Sequence, residues 1–223
     1  MTGWHSPVDL YCERVAPGFW DEPLNAVTNL AFVLAALWAL RTAKQMGRSG
    51  LDLSLLMILA ACIGIGSFLF HTFANRWSGV ADVLPIWTFV LLCIGSGFYR
   101  VAGLRPVMSV LSVLGIVALL TVVLMALPGG ASPSRFNGSE HYAPALLVMA
   151  VFALLSWWRR HPVAHWIVAA TLTFTLSLTF RTIDIALCPT LPFGTHFLWH
   201  LLNGLMVGLL LQALIRAPEP KRV

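Results

Sequence analysis

Seven apolar stretches, at roughly 24–40, 53–73, 80–99, 106–127, 142–158, 163–183 and 196–215, take up most of the 223 residues. Each approaches the about 20 apolar residues that a helix needs to cross a bilayer. In lipid a lone segment satisfies its own backbone only as a helix. The expected fold is therefore all-α: an integral membrane bundle of seven transmembrane helices, forming one domain over residues 1–223. Charged residues make up 10% of the chain, against roughly 25% in soluble proteins, so no separate soluble domain is expected. The polar segment 1–23 carries no basic start, which argues against reading the first stretch as a cleavable signal peptide.

The formal charge of +5 could suggest a nucleic-acid partner, but its placement argues for topology instead. Arg41, Lys44, Arg48, Arg100, Arg105, Arg159, Arg160, Arg216, Lys221 and Arg222, ten of the fourteen basic residues, all follow odd-numbered stretches. Basic residues collect in cytoplasmic loops. The N-terminal segment 1–23 is thus expected outside and the short tail 217–223 in the cytoplasm, with no nucleic acid involved. Asp9, Glu13, Asp21 and Glu22 then form an acidic cluster on the outer face. The connection from Pro128 to Tyr142, rich in Gly, Pro and Ser, reads as an outer loop.

Polar residues within or beside the stretches mark where function should lie, because an ionisable group at mid-bilayer costs on the order of 3 kcal/mol. Ser67 and His71 stand four apart, as do His196 and His200, which puts each pair on one helix face. Asp82 follows His71 across the short turn ANRWSG. The topology brings all five groups to the outer end. Taken singly, each histidine could tie two helices together, Ser67 could be a small packing residue, and Asp82 could cap a helix. Taken together, three imidazoles suit zinc: they leave one tetrahedral position for a water, whose pKa the ion lowers to about 7. The Asp82 carboxylate could then move the proton.

The run of YCE, EPLNAVTNL, GIGSFLFHTF, ADVLP and GTHFLWHLLNG resembles the alkaline ceramidase family, within a superfamily of seven-helix membrane hydrolases that includes the adiponectin-type receptors. The resemblance covers nearly the whole chain. It implies a zinc-dependent amidase that cleaves ceramide, an N-acyl lipid drawn from the bilayer, into a sphingoid base and a fatty acid. It implies zinc on His71, His196 and His200, proton handling by Asp82, and support of the site or the oxyanion by Ser67. It also implies calcium in the N-terminal segment, on Glu13 and Glu22 with Asp9, although Arg14 and Val15 stand where oxygen-bearing side chains would be expected. Finally, it implies a disulfide between Cys12 and Cys188, in keeping with an oxidising outer compartment.

A second reading is a seven-helix receptor or sensor without hydrolytic activity, and a third is a haem carrier using two of the histidines. A retinal protein is excluded, because Lys44 and Lys221, the only lysines, fall outside the predicted helices. Arg181 and Asp184, three apart, are expected to pair on one helix face. Asn25 and Asn29 continue the Glu22 face and are expected to tie helices together. His5, His141, His161 and His165 read as solvated, and Cys62 and Cys93 as apolar filler. Short loops and compactness lean toward a bacterial inner membrane, with the site on its non-cytoplasmic side.

Overall fold

The computed structural model describes residues 3–126 and 136–218. The connection expected from Pro128 to Tyr142 lies outside the described residues as far as residue 135, and so does the tail from residue 219. The helices are α1 (Pro23–Thr28), α2 (Leu30–Gln45), α3 (Leu51–Phe73), α4 (Arg76–Arg100), α5 (Pro106–Ala126), α6 (Ala143–Trp158), α7 (Ala164–Leu187) and α8 (His196–Arg216). A 3₁₀ turn, Ser139–Tyr142, leads into α6. Among the described residues there are no strands, only an isolated bridge between Pro7 and Asn75.

Helices α1 and α2, interrupted at Asn29, make one membrane-length span, and α3, α4, α7, α8 and the segment Ser139–Trp158 make five more. Helix α5 is also apolar, over the shorter stretch Pro106–Val122. The chain is an integral membrane protein with a helical bundle. The predicted first stretch ends at 40 but the helix continues to Gln45, placing Lys44 in its last turn, where it stays exposed.

The predicted third stretch also starts late. The turn after α3 is only Ala74 and Asn75, with Ala74 in the left-handed region at φ 42°. Asn75 then caps α4: its side chain accepts the Ser78 N–H, and the Ser78 hydroxyl accepts the Asn75 N–H, both at 3.1 Å. Arg76 to Gly79, polar enough to read as a loop, is therefore helix, and Asp82 sits in the second turn of α4 rather than at its start.

Phe32, Leu53, Leu56, Leu211 and Ile215 form the main core between α2, α3 and α8. Small residues let these helices close on one another, as is common where lipid supplies no hydrophobic drive: Gly204 faces Ala31, and Gly208 faces Trp38. Helix α5 packs against α4 at the edge of the bundle. The two ends differ. At one, Arg48 donates to the Ala217 carbonyl and Arg100 pairs with Asp52 at 2.6 Å. At the other, the N-terminal segment lies across the α3–α4 turn, with Val8 N–H donating to the Ala74 carbonyl at 2.8 Å.

Candidate metal centre

The last turn of α3 carries His71, and the first two turns of α8 carry His196 and His200. All three are nearly inaccessible, at 1, 1 and 2% exposure. Their ligand atoms lie within 4.8 Å of one another. Ring centroids are 4.6 Å apart for His71–His200 and for His196–His200, and 5.3 Å for His71–His196.

The partners of the rings decide which nitrogens are free. His71 Nδ1 is 2.5 Å from Glu22 Oε2. A carboxylate only accepts, so Nδ1 carries the proton and Nε2 presents its lone pair. His200 Nδ1 is 3.1 Å from Thr28 Oγ1. The Thr28 hydroxyl donates to the Leu24 carbonyl at 2.7 Å, so the His200 Nδ1–H donates to it and Nε2 is left over. His196 stacks on Tyr11, with centroids 3.6 Å apart. Neither His71 Nε2 nor His196 Nδ1 has a hydrogen-bond partner.

Asp82 reaches this group because α3 and α4 approach closely at Gly66. A Cβ there would meet the Ala81 carbonyl oxygen at 2.1 Å. Pro85, one turn on, has no N–H to give that carbonyl. The approach sets the Ser67 hydroxyl beside the Asp82 carboxyl, whose Oδ1 has no hydrogen-bond partner. Arg181 faces the same space from α7, donating to Tyr11 Oη at 3.1 Å and lying over the Tyr11, Tyr142 and Trp199 rings.

The start of α8 is fixed by Asp184. Its Oδ1 accepts the N–H of Thr195 at 2.7 Å and of His196 at 2.9 Å, and its Oδ2 accepts the Cys12 N–H at 3.1 Å. A buried carboxylate at a helix N-terminus satisfies otherwise orphaned N–H groups and opposes the dipole. Gly194, at φ 61°, is the bend that permits this: a Cβ there would come within 2.2 Å of Asp184 Oδ1. Cys12 is bonded to Cys188 in a disulfide. Asp184 thus serves three backbone groups instead of pairing with Arg181 as the sequence suggests, because it points into the α7–α8 connection.

From the histidines a cavity runs down the bundle interior. Tyr11, Ser67, Asp82, Arg181 and Asn203 line its polar end, and Phe89, Met149, Phe152, Ile167, Leu214 and Val101 its apolar length. Asp82 lines it from the second turn of α4 and Val101 from the C-cap of the same helix. Nineteen residues separate them, about 28 Å of helix.

A family model described as Ceramidase matches residues 6–219. The chain belongs to the ceramidase family. None of the curated proteins compared with it matches. The zinc that the family resemblance implies suits the residues present: three buried imidazoles make a borderline-soft, neutral donor set, and two of them, His71 and His196, hold a buried nitrogen without a hydrogen-bond partner, which is costly to leave so.

The calcium that it also implies does not suit them. Glu22 is committed to His71, to Asn25 Nδ2 at 3.1 Å and to Arg14 Nε at 2.5 Å. Burial alone would raise the Glu22 carboxyl, but the hydrogen bonds it accepts from His71, Asn25 and Arg14 outweigh it and hold the group below its usual range. Glu13 caps α1, accepting the Leu24 and Asn25 N–H groups at 2.7 and 2.8 Å. Burial keeps Glu13 above its usual range despite these bonds. Asp9 is exposed. A family member that bound calcium here would need six to eight oxygens free to turn inward.

Proposed function

We propose that the protein is a zinc-dependent intramembrane amidase that hydrolyses ceramide to a sphingoid base and a free fatty acid. One observation carries the reading: three buried imidazoles and a carboxylate close one end of a long apolar cavity. A zinc ion on His71, His196 and His200 would supply Lewis-acid activation of the amide carbonyl and of the attacking water. Asp82 takes the proton from that water on its free oxygen and delivers it to the leaving amine nitrogen. Ser67 donates its one hydroxyl hydrogen to the Asp82 carboxyl and so orients that group. The apolar walls hold the acyl chain and keep bulk water from the amide.

A receptor needs no acid–base carboxylate beside its histidines, so Asp82 held against Ser67 supports the hydrolase over that alternative. The Cys12–Cys188 bond at the site's end and the basic residues at the other end support a site on the oxidising, non-cytoplasmic side, periplasmic if the host membrane is bacterial. The test is fatty-acid release from ceramide by zinc-loaded protein in detergent, beside glycerol esters of the same acyl chain. Release from ceramide alone is expected, and turnover of neither lipid contradicts the reading.

A further inference from the structure

Arg14 stands in the outer, acid-rich segment, yet it is buried, with 8% of its surface accessible. Four of its N–H groups are used. Nε meets Glu22 Oε1 at 2.5 Å, Nη1 donates to the carbonyls of Ala16 and Gly18 at 3.3 and 3.1 Å, and Nη2 donates to the His71 carbonyl at 3.1 Å. Asp21 Oδ2 lies 4.0 Å from Nη1. A carboxylate and three carbonyls converging on one point are a hard-oxygen set of the kind that holds a divalent cation. Here they converge on a planar guanidinium whose donor fork matches them.

The guanidinium grips His71 twice. Directly, it caps an orphaned carbonyl in the last turn of α3, where positive charge opposes the helix dipole. Indirectly, it holds one oxygen of Glu22 while the other accepts the His71 Nδ1–H. Backbone and ring of one residue are thereby tied to the same cation, which fixes where Nε2 points.

We propose that Arg14 is a built-in cation standing where the family resemblance puts calcium, and that it positions His71 for the metal, so that this protein needs no calcium. The positioning half rests on the zinc reading above; the calcium half does not.

The test uses full-length protein in detergent, as wild type, Arg14→Ala and Arg14→Lys. Thermal midpoints are followed from zero to millimolar calcium, and zinc affinity by competition with a chelator. The wild-type midpoint is expected to stay flat with calcium. Arg14→Ala is expected to weaken zinc by about 10- to 100-fold, the range for loss of an outer-shell partner, and Arg14→Lys, which keeps the charge but loses the fork, to fall between. A wild-type midpoint that rises with calcium overturns the proposal, and so does wild-type zinc affinity in Arg14→Ala. Should Arg14→Ala fail to fold, the wild-type calcium titration and Arg14→Lys still decide. If wild type binds no zinc, the zinc reading falls, while the calcium titration still judges Arg14.

Discussion

The two ends of the cavity are built on opposite principles. At the histidine end the working side chains are held by named partners: Glu22 on His71, Thr28 on His200, Tyr11 on His196, Ser67 beside Asp82, and Asp184 beneath the start of α8. At the apolar end Val101, Phe152, Ile167 and Leu214 offer only shape. Directed bonds fix atoms to fractions of an ångström, whereas apolar contact is non-directional and scales with area. The histidine end is therefore suited to setting the reaction and the apolar end to measuring the acyl chain. Changes at the first should alter rate or metal binding, and changes at the second should alter choice among substrates.

The largest effect should come from Asp82→Asn. Losing a positioned acid–base group lowers kcat by about 10²- to 10⁴-fold, and because Asp82 is no zinc ligand in this account, elemental analysis should find the metal content unchanged. Loss of zinc in this variant would turn Asp82 into a ligand. Next comes Glu22→Gln, which removes the charge that sets the His71 tautomer. Zinc affinity should fall by about 10- to 100-fold, read by chelator competition, with acyl-chain preference unmoved. The smallest change belongs to the apolar end. Val101→Phe should shorten the chain the cavity accepts, with long-chain ceramides losing about tenfold in kcat/KM, the scale of discrimination by a methylene or so, and short-chain ceramides keeping the wild-type value. A uniform loss across chain lengths would erase the distinction between the ends.

How far this was legible in the sequence follows the same division. Hydropathy marked the spans, since helices in lipid need little beyond length and apolarity, although caps such as Asn75 moved their ends. The histidine group was legible from two four-residue spacings and the antiparallel topology. The partners that hold it were not. Arg14 and the His71 carbonyl are 57 positions apart, and Cys12 and Asp184 are 172 apart, with no periodicity to announce them. Acidic residues around a cation look alike in sequence whether the cation is a metal or a guanidinium, which is why Glu13, Glu22 and Asp9 read as calcium ligands. One signal was available. Arg14 and Arg181 are among the four basic residues that do not follow odd-numbered stretches, and the fold puts both beside the site.

The most direct test of the central claim is the zinc content of detergent-purified protein, measured beside His196→Ala with fatty-acid release followed on the same samples. About one zinc per wild-type chain, expected of a single three-histidine site, lost together with ceramide hydrolysis in the variant, is the predicted result. Folded wild type that carries no zinc and gains no activity when zinc is added would contradict it.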